Sequence, residues 1–171
     1  MYKNKIYDNH TFEDIDLTEQ SLDFSSFTDC TFKNCNLTLT TIKDTKFLNV
    51  KFIGCKIIGL NFENCNKLFL EINFENCKIQ SCFLSNIKIP RTLFLNCEII
   101  DSSFLSSDLS KSNFENSNLK GTLFGQTNLS ECNFENAINY QINPNDNKIT
   151  NAKFSVPEVI SLLATYKIII K

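Results

Sequence analysis

From Phe12 to Phe134, Phe, Leu or Ile falls on every fifth residue of this chain: Phe12, Leu17, Leu22, Phe27, Phe32, Leu37, Ile42, Phe47, Phe52, Ile57 and Phe62. After a slip of two residues near Asn66-Lys67 the beat resumes at Phe69 and Phe74 and runs on to Leu129 and Phe134. Neither the helical period of 3.6 nor the strand period of 2 generates such a beat. The residue two before each centre is mostly small, as at Ser25, Cys30, Cys35, Thr40, Thr45, Cys55, Ser102, Ser107, Ser112, Ser117 and Thr122. One large and one small inward residue per five, with polar residues between, describe a coil with a flat side and a corner every five residues.

Residues 20 apart (22 across the slip) sort by type. One column reads Phe12, Phe32, Phe52, Phe74, Phe94, Phe114, Phe134, and the next reads Leu17, Leu37, Ile57, Ile79, Ile99, Leu119. An outer column reads Asp14, Asn34, Gly54, Asn76, Asn96, Asn116, Asn136, the residue types that tolerate tight corners. A five-residue beat alone does not separate Phe from Leu, so four pentads make one coil. The sorting also places the two-residue slip outside the coil as a bulge.

The segments SNLKG, TNLSE, SDLSK, CNLTL and the recurring NFEN resemble the pentapeptide-repeat family, whose motif is roughly A(D/N)LXX with Phe or Leu at the centre. The resemblance covers about residues 11–139. It implies an all-β solenoid, a right-handed quadrilateral β-helix. Here that means about six 20-residue coils, near 30 Å tall at a rung spacing of about 4.8 Å. Residues 1–10 are expected to form an N-terminal cap, with Ile6 and Tyr7 covering the first coil. Residues 140–171 are expected to form a C-terminal segment. In it Ser155-Val156-Pro157-Glu158 reads as a capping box opening a short amphipathic helix, and Ile168-Ile169-Ile170 suits a strand. Family members with a similar ending join two rods end to end. This makes Val159, Ile160, Leu162, Leu163, Tyr166, Ile168, Ile169 and Ile170 the candidate homodimer interface, the alternative being a cap on the chain's own last coil.

The eight Cys (Cys30, Cys35, Cys55, Cys65, Cys77, Cys82, Cys97, Cys132) all take the small inward position. Stacked thiols point in parallel rather than converging, so they read as packing rather than a metal centre. His10, the single imidazole, precedes the first coil without a carboxylate beside it. No Ser/His/Asp set or Gly-rich phosphate loop is present, and no cofactor or catalytic residue is expected. Apolar runs of four residues or fewer and a start without an apolar h-region leave cytoplasmic residence, away from membranes, as the expectation.

Lys+Arg 17 against Asp+Glu 19 gives a net charge of −2, which argues against direct binding of nucleic acid. The resemblance extends to relatives that bind bacterial type II topoisomerases, gyrase and topoisomerase IV, by imitating duplex DNA, some of them conferring quinolone resistance. Residues 11–139 hold 16 Asp+Glu and 11 Lys+Arg, a net of −5. Duplex DNA of about 30 Å carries on the order of 17 negative charges. Imitation is therefore confined to one face, carrying Glu13, Asp14, Glu75, Glu115 and Glu135 against Lys33 and Lys51. Elsewhere opposite charges alternate in columns, as in Glu71, Arg91, Lys111 and Glu131, Lys78 with Glu98, or Lys88 with Asp108, and read as neutralised ladders. The sequence thus describes a non-catalytic, protein-binding rod, with a topoisomerase-binding DNA mimic and a purely structural rod as the other readings.

Overall fold

Twenty-residue stacking is realised as parallel pairing. Phe12 lies opposite Phe32, Phe32 opposite Phe52, Phe52 opposite Phe74 and Phe74 opposite Phe94. The computed structural model describes residues 2–170. It contains strands β1 (Ile6–Asp8), β2 (Thr11–Glu13), β3 (Ser26–Thr28), β4 (Thr31–Lys33), β5 (Lys46–Ile53) and β6 (Lys56–Ile58). After a short 3-10 turn at Phe62–Asn64 come β7 (Leu70–Glu75), β8 (Lys78–Gln80), β9 (Phe94–Leu95), β10 (Glu98–Ile100), β11 (Asn133–Phe134) and β12 (Lys153–Phe154). Single bridges such as Leu93 with Asn113 and Asn128 with Lys148 continue the ladders where no strand is long enough to name. The result is a β-solenoid of about seven turns, one more than the sequence predicts.

The Phe column is the spine of the core. Its rings stack at centroid separations of 4.7–5.2 Å and interplanar angles of 3–14°, from Phe12 through Phe134 to Phe154. The rung spacing of about 4.8 Å dictates that separation. A second set of rings, Phe27, Phe47, Phe62, Phe104 and Phe124, meets the column edge to face. Each fully buried Phe contributes about 1.5–3 kcal/mol, with about 0.5–1.5 kcal/mol more for each ring pair.

At the corners the predicted Asp/Asn/Gly column has positive φ at every rung: Asp14 55°, Asn34 52°, Gly54 63°, Asn76 53°, Asn96 53°, Asn116 58° and Asn136 56°. The small inward residues do more than make room. The hydroxyls of Thr40, Thr45, Ser117, Thr122 and Thr127 donate to the carbonyls of Leu17, Leu22, Phe94, Ile99 and Phe104, each 23 residues back, at 2.7–3.0 Å. The thiols of Cys35, Cys55, Cys77 and Cys132 occupy the same place and reach the carbonyls of Phe12, Phe32, Phe52 and Leu109. Ser, Thr and Cys interchange there because each fits and each satisfies a buried carbonyl.

The structure corrects the sequence reading of the rod in three places. At the bulge, Leu70 rather than Phe69 pairs with Phe47 and is buried, 6% exposed against 41% for Phe69. The extra residue is absorbed where the register shifts between Phe47 and Val50, and beyond it the face register is intact. Stacking also continues past Asn139: Tyr140 and Ile142 are buried, Asn128 bridges to Lys148, and β11 pairs with β12. Finally, Ile6 covers nothing, being 85% exposed. Tyr7 does that work, stacked on Phe27 and edge-on to Phe12, with Tyr2 and His10 also against Phe12.

The C-terminal segment departs further. Residues Glu158–Tyr166 form a 3-10 helix, and Ile168–Ile170 are irregular rather than a strand. The predicted capping box is not made, since Pro157 holds the cap position without a side-chain cap bond. Instead the Asn136 N–H donates to Ser155 Oγ and the Asn139 N–H to Glu158 Oε1. Both acceptors lie 19 residues ahead of their donors, the offset by which the Asn116 N–H reaches the Glu135 carbonyl within the rod. Side-chain oxygens stand in for the next coil's carbonyls, and Leu162 is buried beneath the helix. The segment closes the exposed edge of the last coil with these contacts.

Candidate interaction surface

The residue before each Phe-column centre and the one after it point outward, giving the first face two parallel lines of side chains. One line reads Glu13, Lys33, Ile53, Glu75, Leu95, Glu115, Glu135. Its carboxylates are not equivalent. Glu13 is bound by Lys33 at 2.6 Å and is neutralised. Asp14 sits on the positive-φ corner rather than on the flat. Glu75 has apolar neighbours in its line, Ile53 before it and Leu95 after it. Only Glu115 and Glu135 stand on adjacent rungs, next to the Asn116 and Asn136 corners. Beside Glu75 a shallow hollow of about 140 Å³ is lined by Lys51, Ile53, Asn73, Leu93 and Leu95. The face is therefore mixed: apolar in the middle, acidic toward the C-terminal end.

A third face carries a feature that sequence reasoning missed. Phe83, Leu105 and Leu123 are all exposed there. Phe83 and Leu123 flank Ser103 in one bridged column, and Leu105 lies over Gly125. The outward columns held the signal, since 83, 103 and 123 are 20 apart, but exposed positions carry no regular pattern to draw attention to them.

The alternating charge ladders are mostly not ion pairs. Lys78 lies opposite Glu98, and Lys88 bridges to Asp108 through the backbone. Among the described residues, however, only Lys33–Glu13 and Lys111–Glu131, at 3.6 Å, bring opposite charges within 4.0 Å. Exposed side chains on a wide rung gain too little from closing such gaps to order them.

All eight thiols are free and buried. Burial pushes Cys82 up to about 11 and Cys132 up to about 12, which keeps them protonated and inert at neutral pH. No group of three or more His, Cys, Asp or Glu suited to a metal ion occurs among the described residues. Of the candidate dimer residues, Leu162 is buried and Val159 packs on the core, whereas Ile160, Leu163, Tyr166, Ile168, Ile169 and Ile170 are exposed. The Tyr166 hydroxyl donates to Asn145 Oδ1 of the last coil. No helix is long and apolar enough to cross a membrane among the described residues.

The family model described as a pentapeptide repeat region matches residues 25–104, and the pentapeptide repeats model matches residues 107–138. The chain belongs to the pentapeptide-repeat family. Two structures of trypsin-treated QnrB1, described as a plasmid-mediated fluoroquinolone resistance protein, share its fold. They match with TM-scores of 0.70 and 0.65 at 15% and 14% identity, each covering 99% of this chain and 92% of the other. HetL, a pentapeptide repeat protein from the cyanobacterium Nostoc, matches at a TM-score of 0.47 and 13% identity, over 88% of this chain and 86% of the other. No curated protein matches the chain. At these identities the pentapeptide-repeat fold is what is shared.

Proposed function

We propose that this pentapeptide-repeat protein is a non-catalytic, cytoplasmic scaffold whose flat faces bind another protein. The observation that carries this is the presence of apolar side chains at the surface of two rigid faces, exposed Leu93 beside half-buried Ile53 and Leu95 on one and exposed Phe83, Leu105 and Leu123 on another. Apolar groups on a backbone that cannot collapse around them mark interaction sites. Eight reduced thiols suit a reducing compartment. The test is a photo-crosslinking residue placed at Leu95 or Leu123 in the source cells. A discrete adduct from either position, lost when a neighbouring apolar residue becomes Glu, is expected; unmodified protein from both positions would refute the reading.

A second reading is favoured by Glu115 and Glu135, which stand on adjacent rungs with no cation within 4.0 Å among the described residues. In it Glu75, Glu115 and Glu135 act as phosphate surrogates toward a type II topoisomerase, in keeping with the description of QnrB1 as a fluoroquinolone resistance protein. Supercoiling by purified gyrase, with and without ciprofloxacin, decides it. Inhibition or protection that disappears in the Glu115→Lys, Glu135→Lys variant is expected, and no effect at tens of micromolar retires it.

We further propose a homodimer through the exposed apolar residues of the C-terminal cap, Ile160, Leu163 and Ile168–Ile170. Light scattering of the full chain should give twice the monomer mass, falling to the monomer mass in Ile160→Glu, Ile169→Glu. A monomer mass for the unaltered chain overturns it.

A further inference from the structure

The chain has a single arginine, Arg91, and it stands in the Ile-Pro-Arg corner opposite the single bulge. There a groove of about 660 Å³ is lined by Lys67, Lys88, Arg91 and Lys111, with Glu71 on one side and Leu68 and Pro90 among its apolar groups. Lys111 leans to Glu131, and the Lys67 amine donates to the Asn86 carbonyl at 3.1 Å, which ties the bulge to the rod. Arg91 and Lys88 have no carboxylate within 4.0 Å among the described residues.

Three features make this more than a scatter of surface cations. The Arg91 N–H donates to the Ser110 carbonyl, so Arg91 and Lys111 occupy the same corner on adjacent rungs, about 4.8 Å apart. Like charges stacked in this way repel, and of the two only Lys111 has a carboxylate within 4.0 Å among the described residues, Glu131 at 3.6 Å on its far side. Arg91 also adopts a φ of 63° after the ring-restrained Pro90, so the point at which its side chain leaves the corner is set by the backbone. Finally, Leu68 at the bulge tip is 88% exposed, an apolar group held at the rim of a cationic groove. The planar fork of arginine suits a carboxylate taken in two hydrogen bonds.

We propose that this groove binds an acidic, amphipathic peptide segment of a partner protein, with Arg91 gripping a carboxylate and Leu68 contacting an apolar side chain beside it. A polyanionic nucleic acid fits less well, because the whole chain is itself negative, at −2, and offers no extended basic track. The inference rests on the protein-binding reading above and specifies one site and one chemistry for it.

The test uses the full-length protein and a short fluorescein-labelled peptide of alternating Glu and Leu, with a Lys-for-Glu version and a labelled single-stranded DNA as comparisons. Fluorescence anisotropy should show binding of the acidic peptide alone, weakening as salt rises. Arg91→Glu should weaken it by roughly tenfold or more. Arg91→Lys, which keeps the charge and loses the fork, should weaken it by less. Lys120→Glu, on another face, should leave it unchanged. Glu131 already occupies the same corner at a φ of 59°, so a carboxylate at position 91 is compatible with the fold. Amide shifts in nuclear magnetic resonance spectra should move at Lys67, Leu68, Arg91 and Lys111. Binding that ignores Arg91→Glu, preference for DNA, or shifts confined to another face would each overturn the proposal. No peptide binding alongside discrete crosslinks from Leu95 or Leu123 overturns the groove alone; failure of both overturns the reading beneath it.

Discussion

Single residues in this rod are constrained most tightly where the chain turns. Gly121 has a φ of 70°, and a Cβ built there would lie 2.2 Å from Asp101 Oδ1 on the rung before. Gly121→Ala therefore carries two costs, the left-handed backbone and the displacement of Asp101. Together they should destabilise the protein by roughly 1–2 kcal/mol, seen as a melting point lower by a few degrees. Adding Asp101→Ala removes the clash but not the backbone cost, so the double variant should recover part of the loss. A single variant as stable as the unaltered protein would show that the corner relaxes freely. The inward thiols set a pH dependence of definite sign. Cys82 and Cys132 hold their protons up to about 11 and 12 because burial disfavours the thiolate, whereas an unfolded chain releases them near 9. The stabilisation they contribute is complete below pH 9 and is lost as pH rises through 11 to 12, at up to about 1.4 kcal/mol per pH unit for each thiol. Denaturant titrations at pH 8 and pH 10.5 should show the fall, and Cys132→Ser should reduce it. Equal stability at the two pH values would contradict the burial argument.

Elements tell more about what a sequence exposes to reading and what it hides. The coil was legible because one constraint, a large side chain every five residues, repeats until the core columns sort themselves. Positions 66–72 were not, because Phe69 and Leu70 are both apolar and a β-bulge opposite them decides which turns inward. The coil after Asn139 was hidden for a different reason. It is shortened, with Gln141 bridging to Leu123 at 18 residues, and it then regains its length through the Asn143–Asp146 loop before Phe154 lands 20 residues after Phe134. Ile168–Ile170 carried a strand-like composition, yet a strand needs a neighbour, and Ser155 and Glu158, at the entry to the helix before it, close the last edge. On the surface, the Glu13, Glu75, Glu115, Glu135 line was readable by counting. Which of those carboxylates is neutralised depended on side-chain reach that counting does not supply. The capping contacts give a prediction at this scale. Removing both acceptors in Ser155→Ala, Glu158→Ala leaves the Asn136 and Asn139 N–H groups without a protein partner and should cost roughly 1 kcal/mol. Chemical denaturation measures it. A change within about 0.3 kcal/mol would mean that water replaces both oxygens at no cost.

For the whole molecule, stability is a sum of rungs, each held mainly by the one before and the one after. The two ends of this sum are not alike. At the N-terminal end β1 pairs with β3 and β2 with β4, and among the described residues no strand covers their outer edges. The charged side chains of Asp8, Glu13, Asp14 and Asp16 on that first coil discourage another strand from adding there. At the C-terminal end side-chain oxygens and a buried Leu162 close the edge. A one-dimensional stack loosens from its weaker end, so hydrogen exchange should be fastest at Ile6–Glu13 and slowest in the middle coils, near Phe74–Phe114. It should be intermediate at β11 and β12. In the Ser155→Ala, Glu158→Ala variant, protection at Asn133–Phe134 should drop toward that of the N-terminal coil while the middle coils keep theirs. Equal protection from Phe12 to Phe154 would mean instead that the stacked rings tie all rungs into one cooperative unit, and the capped end would then confer no local advantage.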